Sequence, residues 1–328
     1  MQKKILLIGS NFAIKTHFKI IKSLFSKPII YIVSPNIKSK DNILKKNINL
    51  MTNFKTALEF ENFDIICCCT KPQIQDEFIK YFVKKKIYTN FLMLEKPITI
   101  KKKVYYSLIN YIKKKKIKIS INYTYSNLSI FKKLQKMKIK NLSNCKLVFE
   151  LSFLHHYFKD YSDSWKNFIA EGGGIINYYL NHVLYSLIKI FGNIKLKDIK
   201  LNFDKKKNLT NINIFFSNKK TYITFLINMN EKKNKHRYNL YSQNLDISFG
   251  TNCQNWYKKY FLKINYKKKD KIFLYTYKEN IISLIKKNYI YLLKKKKNYK
   301  NYIKKLTQNE IICHNINKRL LKYDFKKV

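Results

Sequence analysis

Apolar residues in the first part of the chain come in short unbroken runs, near 4–8, 28–34, 47–51, 63–69, 88–94 and 117–122. Between them, segments near 12–25, 54–61, 73–85 and 99–113 carry apolar residues every three or four positions. Unbroken runs predict strands buried on both faces, and so a parallel sheet, while the intervening periodicity predicts the helices that cover it. Residues 1–122 therefore read as a doubly wound α/β domain. After 122 the rhythm changes. Helices are predicted near 127–137 and 175–191 and a strand near 145–153. Strand-like stretches at 197–203, 210–217, 220–229, 237–249 and 257–275 then follow one another, and helices near 279–293 and 308–321 close the chain. Strands without crossover helices predict a large, mostly antiparallel open sheet, so residues 123–328 read as an α+β domain. The boundary is a change of pattern without a Pro/Gly-rich linker.

Composition changes this picture less than its size suggests. The chain holds 68 Lys+Arg against 19 Asp+Glu, a formal net charge of +49, which points at first to a polyanionic partner. However, only Arg237 and Arg319 are arginines, only Ala13, Ala57 and Ala170 are alanines, and Lys, Asn, Ile, Tyr and Phe dominate throughout. That bias is what a very AT-rich coding sequence produces. The lysine runs at 84–86, 101–103, 113–116, 205–207, 267–269 and 294–297 are spread along the whole chain, and arginine, the usual reader of bases and phosphates, is scarce. No selected nucleic-acid binding is expected. No apolar run reaches the ~18 residues of a membrane span, and no signal-peptide pattern precedes the first strand, so a cytoplasmic protein without a membrane partner is expected. Of the six cysteines, Cys67, Cys68 and Cys69 share one buried strand while Cys145, Cys253 and Cys313 are isolated, which suggests neither a disulfide framework nor metal-ligand spacing. The adjacent pair His155-His156 would point to opposite faces of a strand and is a poor metal pair.

Candidate chemistry gathers where the predicted parallel strands end, because ligands of open α/β sheets bind at the carboxyl edge. Glu95-Lys96-Pro97 follows the fifth strand. Thr70-Lys71-Pro72 follows the fourth. Gly9-Ser10-Asn11-Phe12-Ala13-Ile14 follows the first, where a dinucleotide fold has G-x-G-x-x-G. Only Gly9 of the three glycines is present. Asn11 tolerates a left-handed backbone, and Ile14 at the third glycine position is expected to push the helix off the strand. Ser34 ends the second strand where a carboxylate would accept a ribose 2′-hydroxyl. With Lys38 and Lys40 nearby, NADP is favoured slightly over NAD. Downstream stand Gly172-Gly173-Gly174, which would let backbone approach a substrate or cofactor closely, and His182.

The segments 4–18, 63–78, Glu95-Lys96-Pro97, 121–134 and 164–192, taken in this order, resemble the glucose-fructose oxidoreductase and inositol dehydrogenase family (Gfo/Idh/MocA). The resemblance implies a Rossmann domain followed by a substrate-binding and oligomerisation domain. It also implies an NAD(P)-dependent oxidoreductase moving hydride between nicotinamide and a secondary carbon of a sugar, polyol or nucleotide sugar. Sugar-modifying members are the nearest in look. Gly9, Ser10, Asn11, Phe12, Ser34, Thr70, Lys71, Pro72, Glu95 and Lys96 would then hold the cofactor. Lys96, oriented by Glu95, and His182 would act on the substrate carbon, and His17 matches the family's histidine after the glycine turn. Tyr178 stands where the family carries an aspartate four residues before the histidine, so the phenol is the rival proton acceptor. Tyr123, Trp165, Lys166, Asn177 and His182 would face the substrate, and the open sheet would form a homo-oligomer. The missing glycines and aspartate leave a second possibility, a Rossmann-derived binding or regulatory protein without dehydrogenase activity.

Overall fold

The computed structural model describes residues 2–34, 48–137, 139, 144–154, 164–205, 209–251, 258–267, 271–294 and 299–323. Lys38, Lys40, His155, His156 and Cys253 lie outside these residues, as do parts of the lysine runs at 205–207, 267–269 and 294–297. The chain divides into two compact units. One comprises Met1–Thr124 with Ile282–Lys297, the other Tyr125–Ile281 with Asn298–Val328.

In the first unit, strands β1 (Lys4–Ile8), β2 (Ile29–Val33), β3 (Ile48–Met51), β4 (Ile65–Cys68), β5 (Phe91–Leu94) and β6 (Lys118–Ile121) pair in parallel in the order β3-β2-β1-β4-β5-β6. Strands β1, β4 and β5 are almost wholly buried, as their unbroken apolar runs require. Helices α2 (Phe54–Phe60), α3 (Pro72–Lys84) and α4 (Lys102–Lys114) fall where the periodicity places them. The first predicted helix is not uniform: Ala13–Phe18 is a π-helical turn that continues as α1 (Lys19–Leu24). One segment departs from the expected division. Helix α7 (Ile281–Leu293), read from the sequence as part of the second domain, belongs from Ile282 onward to the first unit. Its Leu284, Ile285, Tyr289 and Leu292 are buried, and the amide of Asn288 donates to Asn122 Oδ1 at 3.0 Å.

In the second unit, α5 (Ser129–Lys136) precedes β7 (Cys145–Leu154), and a π-helical turn, Ile176–Leu180, leads into α6 (Asn181–Phe191). There follow β8 (Lys195–Phe203), β9 (Leu209–Ser217), β10 (Thr221–Asn228), β11 (Asn230–Tyr241), β12 (Leu245–Thr251), β13 (Tyr260–Tyr266) and β14 (Lys271–Tyr277), with α8 (Tyr299–Leu320) at the end. The eight strands form one sheet in the order β14-β13-β12-β11-β7-β10-β9-β8, antiparallel except for the β7–β10 pair. Two expected strands are hairpins. The stretch 237–249 folds back at Ser242, whose Oγ donates to Leu245 O (2.7 Å) and accepts from Leu245 N–H (3.1 Å). The stretch 257–275 likewise divides into β13 and β14.

The pleat sorts this sheet into two faces. One row across neighbouring strands reads Phe216, Ile223, Leu147, Leu240, Ile247 and Ile264, and it is buried. Leu134 of α5 and Leu187 and Ile190 of α6 pack on this face. The row on the other face reads Tyr222, Lys146, Tyr241, Asp246, Asn265 and Ile272.

Candidate active site

The parallel sheet puts Gly9, Ser34, Thr70 and Glu95 at one edge, because each follows the carboxyl end of its strand. Gly9 has φ +137°, and a Cβ built there would stand 2.5 Å from the Cys69 carbonyl oxygen. No other residue fits this turn. Asn11 is not left-handed, and Phe12 is already helical (φ −70°, ψ −39°), so Gly9 alone makes the bend. The expectation for Ile14 is corrected as well. The side chain brought up to Gly9 is Ala13, fully buried and 3.1 Å from the built Cβ, while Ile14 is only half-buried. The wider π-turn shifts which residue faces the strand. Ser10, Asn11 and Phe12 are exposed at the start of this helix, whose first turn has no acidic side chain. An exposed helix start without a carboxylate suits an anionic group such as a pyrophosphate, so these residues fit a dinucleotide. Ser34 is buried, its N–H donating to Met51 O (3.0 Å).

Thr70 Oγ1 donates to Lys71 O (3.2 Å), and Lys71 precedes Pro72, the first residue of α3, a position where proline's missing N–H costs nothing. One turn on, the buried side chain of Gln75 reaches back to the Glu95-Lys96-Pro97 loop. Its Nε2 faces the carbonyls of Glu95 (2.9 Å), Pro97 (2.9 Å) and Ile98 (3.1 Å), and its Oε1 accepts from Glu95 N–H (3.0 Å). The Lys96-Pro97 peptide is cis. Gln75 is thus the clamp of the lysine loop, a role that no sequence signal marks. Gln75→Leu is expected to destabilise the protein by about 2 kcal/mol, since it leaves buried backbone groups unsatisfied. Denaturant unfolding measures the loss, and hydrogen exchange at the Glu95 amide locates it.

Glu95 is held by more than its loop. Its Oε1 accepts from Asn122 Nδ2 (2.7 Å) and from His17 Nε2 (3.2 Å), and because a carboxylate only accepts, His17 carries its proton on Nε2. His17 Nδ1 then faces Tyr289 Oη (2.7 Å) and Cys67 Sγ (3.4 Å). Burial opposes charge on both, but Cys67 and Glu95 hold the imidazole above its ordinary range. Cys69 and His17 likewise hold the Cys67 thiol below its own. Burial pushes Cys68, on the opposite face of the strand, up to about 12. Tyr123 follows β6 and is buried.

In the second unit, Trp165 and Lys166 lie in a short 3-10 turn beside the glycine triplet. A Cβ at Gly173 would stand 2.1 Å from Trp165 O, and Gly172 and Gly174 have φ +84° and +75°. The triplet thus admits the chain's own Trp165-Lys166 backbone. Lys166 Nζ lies 5.3 Å from the centroid of the Tyr178 ring, and Trp165 meets that ring edge-on at 6.1 Å. Tyr178 lies within the π-turn and His182 just after it, so the one-face geometry of an α-helical i, i+4 pair does not apply. His182 stacks on Tyr125 at 5.1 Å. Asn177 is buried, its Oδ1 accepting from Asn317 Nδ2 (2.8 Å), and Asn181 Oδ1 accepts from Asn309 Nδ2 (2.5 Å). These two amide pairs fix the helix that bears His182 against α8.

The strand order, with the Gly9 turn and the clamped lysine loop at its carboxyl edge, gives the first unit a Rossmann-like fold. Residues 3–123 match the Gfo/Idh/MocA family model, described as an oxidoreductase family with an NAD-binding Rossmann fold. No protein of curated function matches the chain by sequence. Solved structures similar to the whole chain include the dehydrogenase MviM from Clostridium difficile, with 12% identity, TM-score 0.70, and 98% of this chain and 99% of that one covered. KijD10 from Actinomadura kijaniata, a 3-ketoreductase in complex with NADP and TDP-benzene, has 10% identity and TM-score 0.73, covering 99% and 98%. The transcriptional regulator Gal80p from Kluyveromyces lactis has 13% identity and TM-score 0.72, covering 98% and 92%. At these identities the likeness is one of fold. Among the described residues no helix is long and apolar enough to cross a membrane.

Proposed function

We propose that the protein is an NAD(P)-dependent oxidoreductase acting at a secondary carbon of a sugar, polyol or nucleotide sugar. The observation that carries this is the lysine loop. Lys96 sits on a segment whose backbone is fixed by Gln75, at the sheet edge that also carries the Gly9 turn. A bound nicotinamide would supply the hydride acceptor or donor. In this reading Ser10, Asn11 and Phe12 receive the pyrophosphate, and Thr70, Lys71 and Pro72 line the nicotinamide side. The Lys96 ammonium favours the alkoxide-like oxygen of a substrate alcohol losing its proton. Proton transfer falls to His182, with the Tyr178 phenol as the rival acceptor. Trp165, Lys166 and Tyr123 serve substrate recognition. NADP is preferred slightly to NAD, because no carboxylate follows Ser34 before Lys38 and Lys40.

The experiment is a titration with NADPH and NADH, followed by nicotinamide fluorescence or calorimetry. Saturable binding in the micromolar range is expected, tighter for NADPH. Absence of binding of either up to millimolar concentration would sink this reading. It would favour the second, a non-catalytic regulatory protein, which the loss of two turn glycines and the resemblance in fold to a transcriptional regulator support.

We also infer that the open sheet face joins two copies of the chain. Tyr222, Tyr241, Ile272 and Leu274 are exposed on it, flanked by Lys146, Glu150 and Asp246, a mixture of signs that suits contact with itself. Tyr222→Lys combined with Leu274→Lys is expected to convert a dimer to a monomer, read by light scattering after gel filtration. A wild-type chain already monomeric at micromolar concentration would refute this interface.

A further inference from the structure

Three donor atoms converge beneath the Gly9 turn: His17 Nδ1, Cys67 Sγ and Cys69 Sγ, all within 4.8 Å of one another. The two sulfurs are 3.3 Å apart, and Cys67 Sγ is 3.4 Å from His17 Nδ1. Tyr289 Oη, brought by α7, stands 2.9 Å from Cys67 Sγ and 2.7 Å from His17 Nδ1. We propose that this cluster is a structural site for one thiophilic divalent cation of the zinc class, with Tyr289 Oη in the fourth position. The fold rather than the spacing creates it. Residues two apart on a strand share a face, so Cys67 and Cys69 point together, and the π-turn aims His17 at both.

The distances suit a tetrahedral ion. Zinc–sulfur bonds near ~2.3 Å and zinc–nitrogen bonds near ~2.0 Å give sulfur–sulfur edges of about 3.8 Å and nitrogen–sulfur edges of about 3.5 Å, so the Cys67–Cys69 edge needs to open by about 0.5 Å, the Cys67–His17 edge by about 0.1 Å, and Tyr289 Oη moves out by about 0.6 Å from both. Sulfur and imidazole select a soft or borderline ion over calcium or magnesium. The outer contacts also fit. His17 presents Nδ1 to the cluster and donates Nε2–H to Glu95, which Asn122 holds in turn, the carboxylate–histidine arrangement that fixes a ligating imidazole. On binding, the two protons that Cys67, Cys69 and His17 Nδ1 hold between them leave to solvent while His17 keeps Nε2–H, and the dication balances two thiolates that would otherwise be costly to bury. Such an ion would tie β4, the π-turn and α7 together directly under the backbone that packs on Gly9. This role is independent of hydride transfer.

The test is addition of Co²⁺ to the full-length, reduced, metal-free protein. One equivalent is expected to produce a thiolate-to-cobalt charge-transfer band in the near ultraviolet with tetrahedral ligand-field bands in the red, and Zn²⁺ should bleach both. Cys67→Ser and Cys69→Ser should each lose most of the charge-transfer intensity, whereas Cys68→Ser keeps it. Absence of a charge-transfer band at stoichiometric cobalt, or a band unchanged in the Cys67→Ser/Cys69→Ser double variant, overturns the proposal. Should the serine variants fail to fold, alkylation of the wild-type chain with Zn²⁺ or with chelator decides. Zinc is expected to slow modification of Cys69 at least ten-fold in peptide mapping, and equal rates refute the site.

Discussion

Gly9→Ala is expected to destabilise the first unit by about 3 kcal/mol or more and to abolish dinucleotide binding. Two costs combine. At φ +137° an L side chain is strained whatever the space around it, and here the added Cβ would lie 2.5 Å from the Cys69 carbonyl, which belongs to a strand end that cannot move aside cheaply. Relief of that clash means shifting the turn away from β4, and the exposed N–H groups of the helix start then no longer converge on one anion. Thermal unfolding and NADPH titration of the variant measure the two effects. As a control, Asn11→Ala should fold normally, because Asn11 is helical and exposed. A Gly9→Ala variant with wild-type stability and cofactor affinity would contradict the turn geometry.

Lys96→Ala is expected to lower kcat roughly 10²-fold or more on a verified substrate, with the cofactor dissociation constant changed by less than about 3-fold. The loop keeps its shape when the amine is removed, since Gln75 grips the backbone of Glu95, Pro97 and Ile98 and not the lysine side chain. The loss therefore reports the missing charge. His182→Ala should show a loss of similar size. Tyr178→Phe divides the two routes for the proton: near-normal turnover leaves the transfer with His182, and a large loss assigns it to the phenol. Full activity of Lys96→Ala would remove this residue from the reaction.

Much of the architecture was legible in the linear pattern because burial on two faces, on one face or on one stripe leaves different periods. The unbroken runs of β1, β4 and β5 announced a parallel sheet, and the run of strands after 195 announced the open one. Hairpins were harder. At Ser242 the turn is closed by hydroxyl and backbone bonds to Leu245, three residues on, without the Gly or Pro that ordinarily marks a break. Gly9 was legible for a related reason: its turn needs a residue type that no other can replace at that place.

What the sequence by itself determined is a parallel sheet followed by an open one, and the carboxyl-edge positions of Gly9, Thr70 and Glu95, all set by local periodicity and local backbone chemistry. Only the tertiary structure decided which side chains complete the site. Gln75 is 20 residues from Glu95, Asn288 is 166 from Asn122 and Tyr289 is 272 from His17. No local signal marks such pairs, because their contact exists only once α7 has returned to the first unit and buried them. The π-turns at 13–18 and 176–180 belong to the same class. A helix gains a wider turn from the packing around it, so Ala13 rather than Ile14 meets Gly9 for reasons that no periodicity of the chain records.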